Sequence, residues 1–515
     1  MDAAMTTART VRALIEARAA DRPEDVYFIA PHTGRSLSFG ELARDCRAVS
    51  EALAARGLAP GSHLSLVLGN GIATVRLLLG ALYGGYCVNP VNLLSQPDQM
   101  RYVLDHADAR LVICAPDWLD RVRAMTRDFA RGVEVVAVDP DGDDLLAAAG
   151  GPSSARAMLP PSPAPDALAL LMYTSGTTGK PKGVMLSQSN LAANAQSISI
   201  EHGLTRSDRV TAVLPLYHIN AFAVTMLAPL AHGGSLAMPP KFSAGGFWDF
   251  VIAQHCTWLN VVPTMISYLL EGPSPQRERL ARVRFCRSAS AALPPEHHRA
   301  FEQKFGIGIV ETMGLTETVA PAFSNPIEQA QRKIGSVGRA SGCEARVVDA
   351  EGRPLADGTV GEITIRGPQV TRGYYKNPEA TAAAFFADGW LRTGDLGYRD
   401  ADGFFFVTGR IKELIIKGGE NIAPREIDEA LLKHPAVLDA AAVGIPDRHY
   451  GQEIMACIIL REGMALDEAE MRAFCDRLLG RYKTPKVFRV VDDLPRGPSG
   501  KVQRLKLVEF APDTR

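Results

Sequence analysis

The sequence has no Cys-x-x-Cys pair. Its eight cysteines (Cys46, Cys87, Cys114, Cys256, Cys286, Cys343, Cys457 and Cys475) stand singly, mostly among apolar neighbours such as Leu111-Val-Ile-Cys114. That excludes a zinc knuckle and a redox dithiol, and it reads as inert buried thiols in a reducing compartment. There is no surplus of either charge: 56 Lys and Arg against 57 Asp and Glu leave −1. Affinity for nucleic acid or anionic membrane comes from excess Lys and Arg, so neither is expected as a partner. Long apolar runs are missing too. The most apolar stretch, His63 to Val88, is broken by Asn70, Gly71 and Arg76 and falls short of a membrane span. Near the start, Asp2, Arg9, Arg12, Glu16 and Arg18 interrupt any signal-peptide core, so a soluble, cytoplasmic protein is expected. No repeat or low-complexity tract occurs. With 46% apolar and 22% charged residues over 515 positions, the chain has ordinary globular composition and length for more than one compact unit.

The first half alternates helical and strand patterns. Thr10 to Ala20 and Ser38 to Arg56 have helical apolar spacing, and Leu64 to Leu68 and Arg110 to Cys114 are short buried runs. Such alternation predicts a parallel α/β sheet covered on both faces. After the Pro/Ser/Ala-rich connector Pro160 to Pro165, Leu168 to Tyr173 reads as a buried strand. From about Val347 the texture changes to short alternating segments with turns such as Asp402-Gly403, which suits antiparallel strands. Beyond Gly409 a small α+β unit is predicted. It has a helix from Pro424 to Lys433, a strand from Ile454 to Leu460, a helix from Asp467 to Leu479 and a strand from Val487 to Val491.

The stretch richest in chemistry is Thr174-Ser-Gly-Thr-Thr-Gly-Lys-Pro-Lys-Gly183, directly after a predicted strand. Glycines let consecutive N–H groups turn inward as an anion nest, hydroxyls add donors, and Lys180 and Lys182 add charge, which together suit a polyphosphate. It is not a Walker A loop, because proline follows Lys180 and the spacing from Gly176 is wrong.

The string is similar to the phosphate loop of the AMP-forming, adenylate-forming superfamily, which includes acyl- and aryl-CoA ligases, peptide-synthetase adenylation domains and luciferases. The resemblance covers essentially the whole chain. Met313-Gly-Leu-Thr-Glu317 resembles the family's Tyr-Gly-x-Thr-Glu, with Met313 in place of the adenine-stacking tyrosine. Leu391-Arg-Thr-Gly-Asp395 resembles its ribose motif, and Gly409-Arg-Ile-Lys-Glu-Leu-Ile-Ile-Lys-Gly-Gly-Glu-Asn-Ile422 its hinge segment. Pro495-Arg-Gly-Pro-Ser-Gly-Lys501 resembles its catalytic lysine loop. The resemblance implies an α/β architecture: a large ATP- and acyl-binding domain over 1–409, and a small mobile α+β domain over 410–515 that carries the catalytic lysine.

It implies ATP, Mg²⁺ and coenzyme A, and it assigns roles. Thr174, Ser175, Gly176, Thr177, Thr178, Gly179, Lys180 and Lys182 would bind the phosphates. Thr312, Met313, Gly314, Thr316, Asp395 and Arg410 would bind the rest of the nucleotide, with Asp395 on the ribose hydroxyls. Glu317 would hold Mg²⁺, Lys501 would neutralise charge as the carboxylate attacks the α-phosphate, Lys412 would be the hinge, and Gly418 and Gly419 would face coenzyme A. His218, in Leu214-Pro-Leu-Tyr-His218, would sit between acyl group and thiol tunnel; read alone it is a half-buried structural histidine.

By position, Ile219, Asn220, Ser288, Val319 and Ala320, with Thr312 and Gly314, would line the acyl pocket. Peptide-synthetase domains carry an aspartate after this aromatic position; Ile219 here argues against an α-amino acid. Arg287, beside Ser288, either supplies a counter-charge or points to solvent on the alternate strand face. Local wording (Lys241 to Trp248, Arg332 to Gly338, Asp388 to Leu391) is most similar to the carnitine/crotonobetaine–CoA ligase branch. The expected reaction makes an acyl-CoA through acyl-AMP from a small carboxylic acid that is short and polar or charged: betaine-type, sulfonated such as sulfoacetate, or hydroxylated. A medium-chain or aryl acid ligase and an enzyme loading a carrier-protein thiol are the alternatives. Monomer and homo-oligomer stay open.

Overall fold

The computed structural model describes residues 8–143, 158–174, 180–497 and 502–512. Helix starts follow capping chemistry. Ser38 opens Phe39–Ala55 in a capping box with Glu41, and Ser187 opens Gln188–Glu201 in one with Asn190; each hydroxyl satisfies an otherwise orphaned N–H. Phe39–Ala55 then turns Leu42, Cys46, Val49 and Leu53 inward, the stripe of a half-buried helix. The helix Ile72–Tyr83 is buried at every position except Arg76. The apolar stretch from His63 to Val88 is therefore a strand–helix–strand unit sunk in the core. No helix of the described residues is long and apolar enough to cross a membrane.

The apolar runs pair into two sheets, and neither is wholly parallel. One has the order Glu134–Ala137, Leu111–Cys114, His63–Val67, Cys87–Pro90, Leu168–Thr174, Lys182–Ser187, parallel except for its last strand. The other has a parallel centre of Arg209–Thr211, Trp258–Val261, Phe285–Ser288 and Ile309–Leu315. Antiparallel strands Ala320–Ser324 and Arg35–Ser38 extend it at either side. The predicted parallel sheet is thus corrected to two mixed sheets. Helix–strand alternation reports crossovers, whereas these added strands arrive through short turns that leave no helical interval. Residues of both sheets and of Ile72–Tyr83 and Gln188–Glu201 share one apolar core.

The predicted antiparallel segments form a meander of Glu344–Val348, Gly361–Arg366, Leu391–Arg399 and Phe405–Arg410. Its Val347, Ile363, Ile365 and Phe405 pack on Ala322 and Phe323. After the turn Ile411–Glu413 comes a last sheet containing the long hairpin Val437–Asp447 and Gly451–Leu460. Helices Pro424–Leu431 and Glu468–Leu479 cover one face through Ile427, Leu431, Met471 and Cys475; Leu494 and Leu507 cover the other. Among the described residues, these two cores take nothing before Ile415, and the remaining apolar clusters take nothing after Val407. All eight thiols are free, and all but Cys343 are buried. Burial pushes Cys114 up to about 11 and Cys256 up to about 12, which keeps them unreactive.

Candidate active site

Leu168–Thr174 and Lys182–Ser187 form a hairpin in which Thr174 faces Lys182. The residues between them that were read as phosphate ligands (Ser175, Gly176, Thr177, Thr178 and Gly179) lie outside the described residues. The flanks are described: Thr174 is the carboxyl end of the strand Leu168–Thr174, which runs parallel to Cys87–Pro90. Ligands of open α/β sheets collect at such ends. The ammonium of Lys180 stands 5.6 Å from the ring centre of Tyr102, and that of Lys182 stands 4.9 Å from the ring centre of Tyr374. Cation–π contacts hold the two ammonium groups without cancelling their charge.

Glu317 lies on the turn Thr316–Thr318, immediately after the strand Ile309–Leu315. Tyr374 Oη donates to Glu317 Oε1 at 2.8 Å, and the Thr371 N–H donates to the Glu317 backbone carbonyl at 2.7 Å. The same segment is laced to the hairpin: the Met185 N–H donates to the Gly373 carbonyl at 3.0 Å and the Tyr375 N–H to the Gly183 carbonyl at 2.8 Å. Lys182 and Glu317, remote in sequence, therefore meet through one side chain. Burial, and then the Glu317 carboxylate, push the Tyr374 phenol well above its ordinary value, so it remains a donor. Sequence reading missed Tyr374. No spacing announces it, because its partners belong to two other segments.

The stretch from Thr312 to Ala320 is a tight return. Thr318 Oγ1 accepts from the Leu315 N–H at 3.0 Å and donates to the Ala320 carbonyl at 2.8 Å. Val319 and Ala320 hold φ of 58° and 77°, a region that residues other than glycine seldom adopt and a β-branched one such as Val319 very rarely does, at about 1–3 kcal/mol each. A Cβ at position 314 would overlap the Ala320 carbonyl, so Gly314 is what allows the return to lie this close. Thr312, Gly314, Thr316, Glu317, Val319 and Ala320 are thereby gathered in one hairpin. Met313, half-buried, packs against the cluster containing Phe323 and Phe405.

Asp395 and Arg410 face each other across neighbouring antiparallel strands, with Arg410 Nε 2.7 Å from Asp395 Oδ1. The Asp395 N–H donates to Thr393 Oγ1 at 3.0 Å. The carboxylate is buried while the guanidinium reaches the surface.

Leu214 to His218 leads into a π-helical segment, Asn220–Leu227, a wound form that is rare and frequent at functional sites. His218 is half-buried, its ring edge-on to Tyr217 at 4.8 Å, and Ile219 caps the segment. Of the two readings left for Arg287, solvent is excluded: it is 1% exposed. Its Nη1 donates to Asn220 Oδ1 and to Asn260 Oδ1, both at 2.7 Å, while Asn220 Nδ2 donates to Ser290 Oγ at 3.1 Å. Parallel register sets Arg287 between Asn260 and Val310. By alternation Thr312 shares its face, and Ser288 and Glu311 leave on the other. Ser288 Oγ is buried without a hydrogen-bond partner among the described residues.

Lys412 is exposed on the turn Ile411–Glu413. Its neighbour Glu413 lies 3.5 Å from Arg504, which also pairs with Asp428 at 2.6 Å. Gly418 and Gly419, at φ of 57° and 86°, turn the chain between Ile415–Lys417 and Glu420–Ile422. A Cβ at 418 would stand 2.8 Å from Tyr482 Oη, so the surroundings described for this turn are those of the last sheet and not of the Glu317 cluster. Lys501 lies outside the described residues.

Comparison with known proteins bears on this geometry. Residues 15–375 match the AMP-binding enzyme family and residues 426–501 the AMP-binding enzyme C-terminal domain. A sulfoacetate–CoA ligase of Cupriavidus necator is 59% identical over 98% of both chains. An oxalate–CoA ligase of Arabidopsis thaliana is 36% identical over 89% of this chain and 90% of its own. The crystal structure of ATP-bound MatB from Rhodopseudomonas palustris superposes with a TM-score of 0.91, at 33% identity over 98% of this chain and 99% of that one.

Proposed function

The chain belongs to the AMP-binding enzyme family and is an AMP-forming acid–CoA ligase; from that premise we propose that its acid is short and carries a second polar or charged group, with sulfoacetate the leading candidate. The single observation behind the site assignment is the Lys182–Tyr374–Glu317 link, which draws cations and a carboxylate to one hairpin tip. Support for the acid is the 59% identity to the sulfoacetate ligase together with the amide- and hydroxyl-rich wall formed by Asn220, Asn260 and Thr312. The eight unbridged thiols suit the cytoplasm.

ATP and coenzyme A are the co-substrates. The ATP phosphates lie in the loop between Thr174 and Lys182. No cluster of three or more His, Cys, Asp or Glu suited to a metal occurs among the described residues, yet Glu317 fits. Mg²⁺ is usually held by one or two carboxylates plus substrate phosphates, and would there offset phosphate charge. Asp395 accepts from the ribose hydroxyls, with Arg410 beside it. Met313 offers its polarizable thioether to the adenine, next to Thr312, Gly314 and Thr316. The acid's carboxylate oxygen attacks the α-phosphorus and pyrophosphate leaves, while Lys501 stabilises the charge shared between them. The coenzyme A thiol then attacks the acyl carbon past His218 and the Gly418-Gly419 turn, losing its proton as AMP leaves. Motion of 410–515 against 1–409 about Lys412 exchanges the two arrangements.

Two measurements test this. Pyrophosphate release and acyl-CoA formation are followed for sulfoacetate, malonate, glycolate, betaine and the fatty acids from butyrate to palmitate. Efficiency rising with chain length by about 0.8 kcal/mol per methylene would overturn the short-acid reading. In Lys501→Ala, adenylation is expected to fall about 10²- to 10³-fold, while thioester formation from pre-made acyl-AMP is spared. Equal losses in both steps remove Lys501 from the first.

A further inference from the structure

Charges buried in this molecule are typically paired: Arg504 with Asp428, Lys417 with Glu453, Asp395 with Arg410. Arg287 is not. It is 1% exposed, and no carboxylate among the described residues pairs with it. Both hydrogen bonds described for it leave from one nitrogen and end on neutral amide oxygens of Asn220 and Asn260, while Nε is buried with no partner among the described residues. Burial pushes the guanidinium down to about 9, with no charged neighbour acting the other way, so it is still a cation at neutral pH. His202, stacked on Trp258 and Phe285, is held down to about 3 by burial and then by Arg287, and stays neutral beside it. An unpaired buried cation is among the costliest groups a fold can retain, and neutral dipoles fix this one in place without cancelling it. It also shares a sheet face with Thr312 and binds Asn220, two residues after His218.

We propose that the Arg287 guanidinium is the receptor for the second, permanently ionised group of the acid, a sulfonate, which supplies the missing negative charge. The planar fork of N–H donors matches tetrahedral or planar oxyanions, and the pairing is strong where water is excluded. Asn220 and Asn260 act as positioning residues: by accepting from Nη1 they aim the remaining N–H groups. The same cation repels a quaternary ammonium, which counts against the betaine-type acids suggested by wording alone. This inference rests on the short-acid reading above and names the group that reading left open.

The test compares kcat/KM for sulfoacetate and for propionate, a smaller acid that has a methyl in place of the sulfonate and so lacks the second charge, in wild type, Arg287→Met, Arg287→Lys and Asn260→Asp. The last variant keeps side-chain volume and sets a carboxylate beside the guanidinium, so it cancels the charge without opening a cavity. The sulfoacetate-to-propionate ratio is expected to fall roughly 10²-fold or more in Arg287→Met and Asn260→Asp, mainly through KM, with partial recovery in Arg287→Lys. An undiminished ratio in Asn260→Asp or in folded Arg287→Met overturns the role of Arg287 and leaves the substrate reading standing. Wild-type enzyme that does not prefer sulfoacetate to propionate overturns the substrate reading itself.

Discussion

Tyr374 shows how much a single side chain outside any recognised string can contribute. Its ring carries the Lys182 ammonium and its hydroxyl fixes the Glu317 carboxylate. Groups that orient a metal-binding carboxylate are worth about 10–100-fold in metal affinity. Tyr374→Phe keeps the ring and loses the hydroxyl, so the Mg²⁺ concentration for half-maximal ATP–pyrophosphate exchange should rise about tenfold. An unaltered Mg²⁺ dependence would detach Tyr374 from that duty. At this scale the local strings that hold Lys182, Glu317 and Asp395 could be picked out from sequence as candidates, because an anion nest or a carboxylate turn is built from neighbours. Tyr374 and Asn260 were not, since their meaning comes from strands remote in the chain. Arg287 stood between: its presence was visible, but the face it occupies required strand register.

Among the elements, helices were the most legible. The predicted Asp467 to Leu479 is Glu468–Leu479 with Asp467 as its cap, and Pro424–Leu431 starts where a first-turn proline sets it. Strand runs were legible too, but their pairing partners were not, because an apolar run looks alike in a parallel or antiparallel ladder. The turn Ile411–Glu413 is the element on which the two half-reactions depend in the proposed motion about Lys412. Glu413 is tied to Arg504, so dihedral change must fall at or before Lys412. Proline fixes φ near −65°, and Lys412→Pro should leave the pyrophosphate burst nearly intact while lowering steady-state acyl-CoA formation at least tenfold, on the expectation that hinges absorb large dihedral changes. A variant that turns over like wild type would move the hinge elsewhere.

The whole molecule carries its own pH signature. Burial holds His202 down to about 3 and His232 down to about 4. The unfolded chain therefore takes up protons near pH 6.5 that the folded chain refuses. Stability is lost as pH falls from 6.5, by at most about 1.4 kcal/mol per pH unit for each histidine. His298 works the other way: burial lowers it, but Glu302 and Glu311 outweigh burial and raise it above its ordinary value. Its stabilising proton is lost as pH rises through that raised value. Urea midpoints should peak near neutrality, and the double variant His202→Asn/His232→Asn should flatten the acid limb; an equally steep acid limb would place the acid sensitivity elsewhere.

Among the described residues, each side of the Ile411–Glu413 turn has apolar clusters of its own, and Lys412 on the turn is exposed to solvent. To a trypsin-like protease this is a cut that exposes neither interior. The two fragments would keep their folds, but Lys501, the lysine proposed for adenylation, would then sit on a separate molecule. The tether that now supplies it at an effective concentration in the millimolar range would be gone, and adenylation would become sensitive to dilution.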